Sequence, residues 1–199
     1  MSRRSLSFAA ALALTATARA EEPMSEHCAR AAAAEKSPFT RTEAGYDVPH
    51  VRLLDQRGQP VDVAALASGE QPVALNFIFA TCTTICPVMT ATFAQMRSAL
   101  GPDADRVRMV SVSIDPEHDT PAVLAAYAEK FDAPAAWSFL TGDAADVQQV
   151  LRAFDADFGS KFNHRPLTLL HAAGAEEWVR LDGLGSGAAL ADEVRGVLR

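Results

Sequence analysis

Cysteine is scarce in this 199-residue chain. Three in all are too few to build a disulfide-stapled mini-domain, so each one invites a chemical explanation. Basic residues are in the minority: 18 Lys and Arg stand against 25 Asp and Glu, for a formal net charge of −7. That balance argues against a nucleic-acid partner, because phosphate contacts need clustered cations. Glycine and proline, eleven each, show no excess, which excludes a fibrous chain, and a hydrophobic share of 49% excludes a disordered one. What remains is one globular domain with some residues to spare.

Arg3 and Arg4 precede the apolar run Leu6 to Leu14, and Ala18-Arg19-Ala20 follows. A charged start, a short apolar stretch and small residues two apart form the pattern of a secretory signal cleaved after Ala20. The run is too short to span a bilayer, which takes roughly 20 apolar residues. The expectation is a periplasmic protein with no transmembrane anchor in the mature chain; an uncleaved N-terminus anchored in the inner membrane is the alternative. Loss of three arginines (3, 4 and 19) takes the formal charge from −7 to −10.

Residues 21–49 mix Ala, Glu, Pro and Ser without a strand pattern, so they are expected to form a leader or arm, and residues 50–199 the domain. Within the domain, Val51–Asp55 predicts a short strand and Val61–Ala67 a weak helix. Pro72–Ala80 is a near-continuous apolar run of strand length, expected to be covered on both faces. A helix is expected from about Pro87 to Leu100, burying Val88, Phe93, Met96 and Leu100. Val107–Ile114 alternates as a second central strand. Asp119-Thr120-Pro121 opens another helix, with Val123, Leu124, Tyr127 and Phe131 on its apolar face. Trp137–Leu140 reads as a strand and Asp146–Phe154 as a helix. Leu167–Leu170 and Trp178–Leu181 read as a hairpin, and Ala188–Leu198 as the closing helix. This order predicts an α/β, thioredoxin-like fold: a central mixed sheet flanked by helices, ending in a β-hairpin and a helix.

Cys82 and Cys86 stand four apart in Thr81-Cys82-Thr83-Thr84-Ile85-Cys86-Pro87, between the first central strand and its helix. A helix N-terminus carries partial positive charge and favours thiolate over thiol. Thiolates are also the soft ligands that select Cu(I). The pair could be redox-active, could hold a metal, or could form an ordinary Cys82–Cys86 disulfide, which across so short a loop stabilises only modestly. A metal would need a third ligand, and of His27, His50, His118, His164 and His171 the best placed is His164. It lies just before the Leu167 strand, in a loop expected to face the cysteine helix. His171 is expected at the far end of the domain and His118 at the surface.

Three ordered motifs resemble the SCO/SenC family: Cys82-Thr83-Thr84-Ile85-Cys86-Pro87, Asp115-Pro116-Glu117-His118-Asp119-Thr120-Pro121 and Trp137-Ser138-Phe139-Leu140-Thr141-Gly142. The resemblance implies a thioredoxin-like fold and one copper ion, Cu(I) or Cu(II), held by Cys82, Cys86 and His164. It implies a metallochaperone that serves the CuA-bearing subunit of cytochrome c oxidase or another periplasmic copper protein; separately, a monomer is expected. It equally admits a thiol-disulfide oxidoreductase, with Cys82 and Cys86 as the redox pair and the Cys82–Cys86 disulfide as its oxidised form. A copper sensor or buffer is a third reading. Asn163-His164-Arg165-Pro166 departs from the family's usual Asp-His pattern, losing a carboxylate beside the ligand and gaining a cation.

Met24, His27 and Cys28 cluster in the leader and are a candidate auxiliary copper site. Asp115 and Asp119 are expected to do structural duty rather than act as a catalytic pair, Asp115 in a turn and Asp119 or Thr120 as the helix cap.

Overall fold

The computed structural model describes residues 37–199. The expected signal peptide, most of the expected leader and the Met24/His27/Cys28 candidate cluster lie outside the described residues.

Six strands form one mixed sheet: β1 (Thr40–Ala44), β4 (Val73–Ile78), β5 (Arg108–Ser113), β6 (Trp137–Leu140), β7 (Leu167–His171) and β8 (Trp178–Asp182). Their spatial order is β1-β8-β7-β4-β5-β6. The pairs β4–β5 and β5–β6 are parallel, and β4–β7, β7–β8 and β1–β8 antiparallel. Helices α2 (Ile85–Leu100), α3 (Pro121–Glu129) and α4 (Ala144–Ala153) make the crossovers, and α5 (Gly187–Val197) closes the chain. A hairpin of β2 (Arg52–Leu54) and β3 (Pro60–Asp62), followed by α1 (Ala64–Ser68), completes the fold. This is the expected thioredoxin-like arrangement.

Strand periodicity divides the core in two. Along β4, Ala74 and Ile78 join a cluster with Phe93, Met96, Leu124, Leu190 and Val194, while Val73, Leu75 and Phe77 join Leu53, Val147, Val150, Phe154 and Trp178 on the other face. Every residue of β4 is buried, which is why its sequence reads as a continuous apolar run. At the free side of β6, the Gln56 side chain donates to the Trp137 carbonyl and accepts from the Phe139 N–H, both at 2.9 Å. The β2–β3 hairpin thereby covers what would be an open sheet edge.

The structure corrects the sequence reading in three places. Thr40–Ala44, inside the segment read as an arm, is an edge strand paired with β8, and Phe39 beside it is buried in the core. Four of those five strand residues are exposed, so they carry no alternation to detect. Val88 and Val123 are exposed rather than buried. The buried stripe of α2 is Cys86, Met89, Phe93, Met96 and Leu100, spaced alternately three and four residues apart, and Val88 falls one position off it. The same one-residue displacement turns Val123 outward while Leu124, Tyr127 and Ala128 face in.

Gly187, the first residue of α5, lies so close to the backbone of α2 that a Cβ there would collide with the Gln95 side chain and stand 2.8 Å from the Met96 nitrogen. Gly187→Ala is therefore expected to destabilise the fold by about 1–3 kcal/mol, read by thermal unfolding, because backbone cannot yield as a side-chain tip does.

Candidate metal centre

The cysteine loop is built by the two elements it joins. β4 ends in the core at Ile78, and α2 begins at Ile85 with Pro87 in its first turn, where a missing N–H costs no helical bond. Thr84 at the N-cap makes no side-chain capping bond. The Cys82 sulfur takes that role, accepting the Cys86 N–H at 3.4 Å and lying 3.6 Å from the Thr84 hydroxyl.

Cys82 and Cys86 are both buried free thiols, 9% and 0% exposed. Their acidities diverge. Burial pushes the Cys82 thiol up, but hydrogen bonds from the Cys86 and Thr84 backbone, the Thr84 hydroxyl and the Cys86 thiol outweigh it and bring the pKa down to about 7. Burial pushes the Cys86 thiol far up, and the neighbouring Cys82 and Asp119 charges add to this against an opposing Phe79 backbone contact. Cys82 is thus the nucleophile of the pair. In the reduced native protein, the alkylation rate of Cys82 is expected to rise with pH through a midpoint near 7, while Cys86 stays unmodified. Mass-spectrometric mapping of iodoacetamide adducts across pH checks both.

Asp119 holds the loop from below. Its carboxylate, fully buried, accepts the Ala80 N–H at 3.0 Å and the Ser113 hydroxyl at 2.6 Å. Burial raises its pKa, with the Ser113 and Ala80 bonds opposing. Of the two residues expected as helix cap, Asp119 and Thr120, it is Thr120 that caps, its side chain accepting the Val123 N–H. Behind Cys86, Tyr127 and Thr90 share a 2.9 Å hydrogen bond, and the Thr90 hydroxyl donates to the Cys86 carbonyl at 2.9 Å.

His164 closes the single 3-10 turn Lys161–Asn163 that precedes β7. Its ring packs edge-on to Phe79, with centroids 6.3 Å apart, and Phe79 is three residues before Cys82. Burial lowers its pKa, against a backbone hydrogen bond to Phe77 that raises it, so the imidazole is neutral at pH 7, the form that binds metals. Its Nε2 is buried with no hydrogen-bond partner. An orphaned buried nitrogen next to a two-thiol loop fits the donor set of a soft cation. Among the described residues, no three Cys, His, Asp or Glu side chains are already gathered at ligating distance. The structure brings His164 to the cysteine loop without closing a three-ligand cage.

His171 and His118 lie elsewhere, as expected. His171 pairs with Trp178 at the end of β7 that lies beside Val73, the start of β4, and so away from the cysteines. His118 is largely exposed, with Nδ1 3.0 Å from Asp115. Among the described residues, no helix is long and apolar enough to cross a membrane.

Residues 40–175 match the family model described as SCO1/SenC. The chain is 37% identical over 117 residues to the SCO1 protein homolog of Bacillus subtilis (strain 168), a match covering 56% of this chain and 58% of that relative. It therefore spans little more than half the length of that relative. Among solved structures, ScoI of Bradyrhizobium japonicum with copper bound superposes with a TM-score of 0.63 at 23% identity, over 75% of this chain and 98% of that one. BsSco, described as a member of the Sco family of cytochrome c oxidase assembly proteins and as carrying a disulfide switch, superposes with a TM-score of 0.65 at 25% identity, over 79% and 96%.

Proposed function

The chain belongs to the SCO1/SenC family, and from that premise we propose that it is an exported copper metallochaperone. Copper is its cargo. Cys82 and Cys86 bind Cu(I) as thiolates and His164 adds a neutral nitrogen, with the CuA-bearing subunit of cytochrome c oxidase, or another periplasmic copper protein, as acceptor. The observation that carries this reading is the buried, partnerless Nε2 of His164 beside the cysteine loop. A redox pair needs no such nitrogen, whereas a two-sulfur copper site completed by an imidazole does. Three protein ligands leave the ion open to an incoming ligand, so copper can pass to the acceptor by exchange.

Anaerobic competition titration of the reduced protein with Cu(I) tests the reading. One ion per chain is expected, bound at least about tenfold more weakly in His164→Ala and unchanged in Cys28→Ser. Indifference to His164→Ala defeats the Cys/Cys/His site. Two ions, one of them lost in Cys28→Ser, place a second site in the leader.

The thiol-disulfide reading has its own support in the divergent acidities of the pair. Cys82, near pKa 7, would attack a target disulfide and Cys86 would resolve the mixed disulfide, leaving the target reduced and Cys82–Cys86 oxidised. His164 is dispensable for that chemistry, so the same variant separates the two functions.

A further inference from the structure

Three loops meet at the carboxyl ends of β4 and β5, and a continuous set of polar contacts ties them together. The Ala80 N–H, in the cysteine loop, donates to Asp119. Ser113 donates its hydroxyl to Asp119 and accepts the Asp115 N–H at 3.0 Å. The Asp115 carboxylate, 7% exposed, then reaches Lys161 Nζ at 2.6 Å and His118 Nδ1 at 3.0 Å. Lys161 is three residues before His164, and its ammonium also lies 5.8 Å from the centre of the Phe79 ring, the ring against which His164 packs. A lysine nearly three-quarters buried on a buried carboxylate is not an ordinary surface pair: most exposed pairs contribute little, whereas one partner removed from a desolvated pair leaves an uncompensated charge.

We infer that Lys161 is a positioning residue for copper capture: through its ion pair with Asp115 it holds the His164 loop against the loop of Cys82. The inference rests on the Cys82/Cys86/His164 reading and adds to it what keeps the histidine in reach. The turn that carries His164 has only three residues of 3-10 helix, and the ring's one hydrogen-bond tether is to the Phe77 backbone, its Nε2 having none. A second anchor, for the loop itself, is supplied three residues upstream. Without it the loop spends only a fraction of its time with His164 at the cysteines, and the apparent affinity falls by that fraction.

The test uses the reduced mature chain, Cu(I) itself as probe, and the variants Lys161→Met, Lys161→Arg and His164→Ala. Lys161→Met is expected to weaken Cu(I) binding about tenfold and to speed amide hydrogen exchange over residues 160–166 in the copper-free protein. Lys161→Arg is expected to restore both. If Lys161→Met fails to fold because Asp115 is left unpaired, Lys161→Met with Asp115→Asn removes both charges and is expected to show the same loss. Affinity unchanged or tightened in the methionine variants, or exchange over 160–166 unaltered, overturns the positioning role, and so does failure of arginine to rescue. Should His164→Ala itself bind Cu(I) normally, the three-ligand reading is what has failed, and the two failures are distinguished by that one variant.

Discussion

Cys86→Ser is expected to lose Cu(I) by about a thousandfold or more in anaerobic competition titration. If a structural metal is held by roughly 10–16 kcal/mol and three ligands share it evenly, one ligand is worth about 4 kcal/mol, or about three decades in affinity. A serine hydroxyl cannot replace the thiolate, because it is a hard donor that stays protonated at neutral pH. The variant should fold, since oxygen is smaller than sulfur and the site lies at the first turn of α2 rather than deep in the sheet. Cys82→Ser is expected to lose a comparable amount and, in addition, the sulfur that accepts the Cys86 N–H. Retention of tight Cu(I) binding by either variant contradicts the pairing of the two thiols on one ion.

Asp119→Ala is expected to destabilise the fold by about 3 kcal/mol, because it leaves the Ala80 N–H and the Ser113 hydroxyl buried without an acceptor. For a domain of this size that corresponds to a fall of about 6–12 °C in the midpoint of thermal unfolding. Asp119→Asn keeps a side-chain oxygen for the same donors and is expected to escape the loss that alanine suffers. The pH dependence carries the sign. A carboxyl whose pKa is raised in the folded state favours folding at low pH, and that contribution is lost as pH rises through the raised pKa. Asp119→Asn removes this slope, so wild-type and asparagine stabilities should converge at low pH and separate in favour of asparagine as pH rises. An alanine variant as stable as the asparagine one contradicts the role of Asp119 in tying down the cysteine loop.

The sequence exposes those parts of the molecule that depend on local pattern. β4 was legible because a strand covered on both faces is apolar at every position, and the cysteine loop followed from the change of texture at its end. Thr120-Pro121 announced α3 through its capping chemistry. β1 was hidden because an exposed edge strand, Thr40-Arg41-Thr42-Glu43, looks like a polar arm; only its pairing with β8 makes it a strand. Val88 was misplaced because an apolar residue one step from the buried stripe cannot be told from a member of it until the sheet fixes the helix's rotation. Local pattern left Asp119 and Thr120 both open as the cap, because the acceptor duties that occupy Asp119 lie 39 residues away in Ala80. The Lys161–Asp115 pair, 46 residues apart, carries no local signal at all. His164 could be singled out by its position before β7, but the burial of its Nε2 is a property of the folded chain.

The most direct test of the proposed copper site is the X-ray absorption spectrum of the reduced, Cu(I)-loaded protein. Two sulfur scatterers and one nitrogen are predicted, the nitrogen contribution disappearing in His164→Ala. A spectrum fitted by sulfur alone, identical in the wild type and in His164→Ala, would contradict it and leave Cys82 and Cys86 as a redox pair.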